Sequence, residues 1–274
     1  MITIIVIYLF LIAPDFKKKD TAPFRGRYYA HRGLHDNSSA APENSLAAFR
    51  KAIDADYGME FDVQLTKDGK AVICHDLSLN RMYRDADGNT VGGLIADHTY
   101  EELLHYHILN TKEKMPLLTE VLKMTDGRIP LIIELKTDGR GPVDRLCNTV
   151  NGILEDYKGV YCIESFDPRV VMWYRHHRPD IVRGQLSMDY ARVDRKKYKC
   201  IIYPVLTHLL TGFLGRPDFI AYDHRHKDNL SRSLCFRLFK GLAVAYTLKS
   251  QKELDEDRND FDIFIFDSFI PEDI

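Results

Sequence analysis

From residue 28 onward the chain alternates short apolar, β-branched runs with amphipathic stretches, and no other feature restricts its fold so much. Tyr28–His31 and Gly58–Gln64 read as strands, with a helix over Asn44–Asp54 between them whose Leu46, Phe49, Ala52 and Ile53 follow a 3.6-residue period. Ala71–His75 is a further short apolar run, and a helix over Leu117–Met124 follows Pro116. Pro130–Leu135 is almost continuously apolar, as parallel strands buried on both faces are. The pattern continues with strands at 160–164, 182–186, 219–222, 241–246 and 262–267. Helices are expected between them at 143–157, 168–177, 196–210, 229–239 and 250–256. Alternation of this kind predicts a parallel sheet with crossover helices, and about eight units in one chain predict a closed α/β barrel of the TIM (β/α)8 type. Residues 76–115 interrupt the pattern with the turn signals Asp87-Gly88-Asn89 and Gly92-Gly93, and read as a small insertion after the second strand region. The expected organisation is therefore a barrel over 21–274 preceded by a separate segment, 1–20.

That first segment is apolar from Ile2 to Ala13, apart from Thr3 and Tyr8, and is followed by Lys17-Lys18-Lys19. As a helix it would reach ~18 Å, short of a ~30 Å hydrocarbon core. Its charge follows the apolar run, whereas a secretory signal carries charge before it. Three arrangements stay open: a helix lying on a membrane, a marginal anchor, or a segment docked on the barrel. Membrane association through residues 2–13 is the favoured one, with the lysines on the cytoplasmic side. Elsewhere the formal net charge of -2 gives no basic excess of the kind that binds nucleic acid. The five cysteines are odd in number and scattered, which argues against a disulfide framework or a zinc cluster and for a reducing, cytoplasmic setting.

The chemistry sits at strand ends. In Gly58-Met59-Glu60-Phe61-Asp62-Val63-Gln64, Glu60 and Asp62 point the same way because side chains alternate along a strand. Two acids among Met, Phe and Val require compensation, and Glu134 repeats the situation in Ile132-Ile133-Glu134-Leu135-Lys136. Barrel strand ends converge on one face, so these three carboxylates predict an oxygen-rich site suited to a hard divalent cation, Mg²⁺ or Ca²⁺, rather than zinc. His31 and His75 close two apolar runs and are candidate proton carriers. Arg32 and Lys136 add positive charge where a phosphate could sit. Each residue alone has a structural reading: a satisfied strand-end histidine, a salt-bridged carboxylate pair, a lysine neutralising Glu134. Their coincidence at strand ends on one face favours function.

The strings His31-Arg32-Gly33, Pro42-Glu43-Asn44-Ser45, Glu60-Phe61-Asp62-Val63, His75-Asp76, Met115-Pro116-Leu117-Leu118, Glu134-Leu135-Lys136 and Ser165-Phe166-Asp167 occur in that order. Together they resemble the glycerophosphodiester phosphodiesterase family, over about Tyr28 to Pro271. The resemblance implies a barrel of the phospholipase C-like phosphodiesterase type and a divalent metal held by Glu60, Asp62 and Glu134. It further implies an acid/base pair of His31 and His75, phosphate contacts from Arg32 and Lys136, and a supporting loop containing Glu43. Tyr246 stands where the family usually has tryptophan before threonine, and Phe266-Asp267 where Thr-Asp is common. Tyr246 still offers an aromatic wall to substrate, so an altered substrate fit is expected. The implied reaction is hydrolysis of a glycerophosphodiester to an alcohol and glycerol 3-phosphate. The alternatives are lysophospholipase D action on a lysolipid and a non-enzymatic barrel that binds lipid.

Overall fold

The computed structural model describes residues 2–272. They form two compact units, one of residues 27–161 and one that joins the stretch before Arg27 to the stretch from Cys162 onward. The chain opens with helix α1 (Ile2–Ile12), which belongs to the second unit.

The first unit contains β1 (Tyr28–His31), α2 (Leu46–Asp54), β2 (Gly58–Leu65), β3 (Ala71–Ile73), β4 (Tyr83–Arg84), α3 (Tyr100–Leu103), β5 (His107–Ile108), α4 (Leu118–Thr125), β6 (Leu131–Leu135) and α5 (Asp144–Leu154). β2 pairs in parallel with β1 on one side and β6 on the other. α2 starts where the Ser45 hydroxyl accepts from the Ala48 amide, and it buries Ala48, Phe49, Ala52 and Ile53. Gly58 begins β2 because the Tyr29 ring lies 2.5 Å from where a Cβ would stand. The Ala71–His75 run does not extend the parallel set. Its strand, β3, folds back antiparallel on β2, since the few residues between them are too short for a crossover. Residues 76–115 carry the two-stranded ribbon of β4 and β5 over a small core that includes Leu79, Met82, Ile95, Leu103 and Ile108.

The second unit continues with β7 (Tyr161–Ser165), α6 (Pro168–His177), β8 (Arg183–Ser187), α7 (Tyr190–Asp194), α8 (Ile202–Thr207), α9 (Gly212–Gly215), β9 (Phe219–Asp223), α10 (Leu230–Arg237), β10 (Leu242–Leu248), α11 (Gln251–Asp257) and β11 (Ile263–Phe266). β7 to β11 pair in sequence, all parallel. The helix expected over 196–210 is broken. The Asp194 carboxylate captures the amides of Lys196 and Lys197 in a turn, and helix resumes only at α8, with Pro204 in its first turn. Arg183 is almost wholly buried. It donates to Asp15 and to the carbonyls of Gly215 and Arg216, which pins the chain after α1 to this unit.

Candidate active site

The acidic centre follows from strand register. Asp62 on β2 lies opposite Glu134 on β6, and Glu60 lies opposite His31 at the end of β1. Glu60 and Asp62 project to one side because they are two apart. All three carboxylates are buried, and each brings an oxygen to within 4.8 Å of the others. Lys136, just past the end of β6, places its ammonium 3.0 Å from Asp62 Oδ1 and 2.7 Å from Glu134 Oε2. Burial opposes the Lys136 charge, but the two carboxylates outweigh it and hold the amine protonated. Burial also opposes ionisation of Asp62, yet Lys136, His75, Arg32 and the Asn44 amide keep it well below the usual carboxylate range. Glu134 goes the other way: burial and the Asp62 charge push it up in spite of Lys136.

Arg32 follows β1 in a left-handed conformation, φ 57°, which turns the chain at the strand end. Its amide donates to the Glu60 carbonyl at 2.8 Å. Its guanidinium donates to Glu43 at 2.7 Å and stands 3.6 Å from Asp62. Asn44, also left-handed at φ 56°, donates through its side chain to Asp62 at 2.9 Å. The Pro42-Glu43-Asn44-Ser45 string thus does two jobs, bracing the centre with Glu43 and Asn44 and capping α2 with Ser45.

His31 places Nε2 3.9 Å from Glu60. His75 is reached through a different route. The Gln64 side chain on β2 donates to the carbonyls of Cys74 and Asp76 and shapes the loop after β3. His75 Nδ1 lies 2.6 Å from Asp76 Oδ1. Hydrogen bonds from His75 and Arg81 hold Asp76 below the ordinary carboxylate range against its burial. An ionised Asp76 only accepts, so Nδ1 carries the proton and Nε2 is left for proton transfer. Arg81 ties this histidine to the rest of the site: Nε donates to Asp76 at 2.6 Å, and both terminal nitrogens donate to Glu43 at 2.7 and 2.6 Å. Burial would raise the Glu43 carboxyl, but Arg81, Arg32 and Asn37 bring it down to about 2.

The first unit therefore brings together His31, Arg32, Glu60, Asp62, His75, Glu134 and Lys136. Sequence reasoning attached no role to Asn44, Gln64, Asp76 or Arg81. Asp76 had a signal, its adjacency to His75, whereas Arg81 sits in the insertion with nothing to mark it. Lys136 is engaged by Glu134, as its structural reading anticipated, and by Asp62 as well. Tyr246 belongs to the second unit, on β10, where its hydroxyl donates to the Ser187 carbonyl at 2.7 Å and its ring meets Phe166 edge-on. Phe266 is a buried core side chain in contact with Phe269. Beside Lys136 a cavity of about 500 Å³ is lined by Leu77, Leu94 and Ala96 of the insertion together with Val143 and Leu146.

Residues 31–227 match the profile of the glycerophosphoryl diester phosphodiesterase family. The chain belongs to that family. Among relatives, a Bacillus altitudinis glycerophosphodiester phosphodiesterase is 36% identical over 117 residues, which span 40% of this chain and 44% of that protein. The chain thus covers less than half the length of that relative. A Bacillus subtilis protein, YhdW, provisionally given the same name, is 41% identical over 206 residues, 68% of this chain and 80% of its own. Among solved structures, an Oleispira antarctica phosphodiesterase in complex with sn-glycerol-3-phosphate aligns with a TM-score of 0.69 at 21% identity, covering 89% of this chain and 93% of that one. A Thermotoga maritima glycerophosphodiester phosphodiesterase aligns at 0.62 and 26% identity, covering 88% and 94%. The fold class is accordingly the TIM-type (β/α)8 barrel.

Proposed function

We propose that this protein hydrolyses glycerophosphodiesters to an alcohol and glycerol 3-phosphate, using a divalent cation and a histidine acid/base pair. The observation that carries the reading is the buried triad of Glu60, Asp62 and Glu134, flanked by His31 and by the Asp76-fixed His75. The triad fits a cation. Its donors are all carboxylate oxygens, which suits Mg²⁺ or Ca²⁺, and Glu134 is pushed up by its burial and by the Asp62 charge, which a cation would offset. When bound, such a cation would polarise the phosphoryl oxygens and lower the pKa of a hydroxyl beside it.

The chain's own groups supply the rest. Arg32 and Lys136, both held in their charged forms by carboxylates, stabilise charge developing on the phosphoryl group. One histidine takes the proton of the attacking hydroxyl and the other protonates the leaving alkoxide. His75 is prepared for either role because Asp76 fixes its tautomer and leaves Nε2 for proton transfer. The hydroxyl that attacks is either water, which gives glycerol 3-phosphate directly, or the substrate's own glycerol hydroxyl, which gives a cyclic phosphate that water then opens.

A lysolipid substrate is the second reading. The cavity beside Lys136 favours it, because Leu77 and Leu94 of the insertion give that cavity exposed apolar wall. The five free cysteines, four of them buried, support a reducing, cytoplasmic setting. The test is hydrolysis of glycerophosphocholine and lysophosphatidylcholine by the full chain, after chelation and after Mg²⁺ or Ca²⁺ is restored. Activity lost with chelator, regained with either cation, and cut roughly 10²–10⁴-fold in His31→Ala and His75→Ala is the expected result. Full turnover in chelator, or in both alanine variants, would overturn the reading.

A further inference from the structure

α1 is apolar on every side, and its two halves meet different surroundings. From Tyr8 onward it docks on the second unit. Tyr8 and Leu9 pack against a cluster of Ile12, Leu209, Ile220, Tyr222 and Cys235. The Tyr8 hydroxyl bonds Ser231 on α10, and the Arg216 guanidinium donates to the carbonyls of Phe10 and Ala13 and stacks over the Phe10 ring. The preceding six residues, Ile2 to Ile7, are all exposed, with Ile2 at 77% and Ile4 at 72%. A helix with an amphipathic pattern could lie flat on a surface with one side in water. This one carries five isoleucines and valines in that half and no charge, so every side of it disfavours water.

Apolar exposure continues around the foot of the helix and changes there to positive charge. Phe16 is 70% exposed and meets Phe239 edge-on, and Leu230 and Leu238 at the two ends of α10 are also exposed. Lys17 and Lys18 follow α1, with Lys18 resting on the carbonyls of Phe239 and Lys240. Arg237, 73% exposed, ends α10. An apolar stub with lysine, arginine and phenylalanine at its base matches a bilayer in depth: hydrocarbon for the isoleucines, the interface for Phe16, anionic headgroups for Lys17, Lys18, Arg237 and Lys240.

We propose that the exposed half of α1 inserts into the hydrocarbon of an anionic lipid membrane, with these basic residues resting on the headgroups. No helix of the described residues is long and apolar enough to cross a membrane, and α1 needs no crossing to act this way. Its 11 residues reach ~16 Å, about half of a hydrocarbon core. The attachment is rigid. The buried Arg183 with Asp15, and Lys19 with Asp218 at 2.6 Å, clamp the residues after α1 onto the unit, so the helix holds one orientation to the surface it enters.

The test is co-sedimentation of the full chain with vesicles of phosphatidylcholine, with and without phosphatidylglycerol, alongside light scattering of the chain alone. The chain should bind vesicles, and more tightly when phosphatidylglycerol is present. Lys17→Gln should weaken anionic binding roughly fivefold. Ile5→Ser should weaken binding to both vesicle types roughly tenfold or more. Circular dichroism of each variant should match wild type, since neither side chain touches the folded unit's core. Equal amounts in pellet with and without vesicles would overturn the proposal. So would a dimer by light scattering that Ile5→Ser dissociates, because the apolar half would then be an interface between two copies of the chain.

Discussion

Arg81 is the residue whose removal tests most of the site at once, since it joins Glu43, and through it Arg32, to Asp76 and His75. Arg81→Met keeps much of the aliphatic stem and removes three charge-assisted hydrogen bonds, at 2.6, 2.7 and 2.6 Å. The magnitude can be worked from Glu43. Its displacement from an ordinary 4.5 to about 2 corresponds to about 3 kcal/mol, at about 1.4 kcal/mol per pH unit. Arg32 and Asn37 keep part of that, and Arg81 is 44% exposed, so water screens part of the remainder. A loss of about 1–2 kcal/mol is expected at neutral pH, a fall of several degrees in Tm for a chain of this size. The pH dependence has a definite sign. A depressed carboxylate stabilises fully above its unfolded value and loses that contribution as pH falls toward its folded one, here from about 4.5 to about 2. Wild type and variant should therefore differ most near neutrality and converge as pH approaches 2, followed by urea melts at each pH. Loss of the Asp76 clamp should also lower kcat roughly 10- to 100-fold with little change in KM, as displaced supporting groups do. A stability difference that stays constant from pH 7 to pH 2, or an unchanged kcat, would refute the coupling of Glu43 to His75 through Arg81.

Lys136→Met leaves Asp62 and Glu134 without their shared ammonium, so the cation-free protein should lose about 3–5 kcal/mol by urea melt, and Mg²⁺ or Ca²⁺ should restore more stability than it adds to wild type. Arg183→Met should cost about 3–5 kcal/mol by the same measurement while leaving KM for a water-soluble diester unchanged, because the buried guanidinium serves Asp15 and two carbonyls of the second unit. A melt unchanged in either variant would contradict the assignment.

The parallel strands were legible because each is a short apolar run between helices with a clear period. Gly58–Leu65 and Leu131–Leu135 fall within a residue of their expected bounds. Glu60, Asp62 and Glu134 were legible for the opposite reason: a charge inside such a run demands a partner. What escaped was everything that depends on local side-chain competition with the backbone. Asp194 captures two amides and stops a helix that the surrounding residues would otherwise have continued. β3 turns back on β2, and periodicity says nothing about strand direction. Arg81 was invisible because its importance lies in a contact made across the fold, with Glu43 38 residues away, joined to a local one with Asp76.

Charge balance ties the acidic triad to the two histidines. Glu43, Glu60, Asp62, Asp76 and Glu134 face three permanent cations, Arg32, Arg81 and Lys136. The cluster is short of two positive charges, and Glu134 is pushed toward its neutral form, by its burial first and then by the Asp62 charge. On the proposed reading a divalent cation among the triad oxygens would close the gap and offset the cost of three buried carboxylates standing so near one another. A phosphodiester carries one negative charge, so its arrival would reopen a deficit of one. On that reading a protonated histidine at the rim would meet that deficit, and a protonated imidazole is the species needed to protonate a leaving alkoxide. Asp76 accepts from His75 Nδ1 at 2.6 Å, which leaves Nε2 for proton transfer. On the proposed reading the same carboxylate prepares His75 for either role, general acid or general base, with His31, 3.9 Å from Glu60, taking the other.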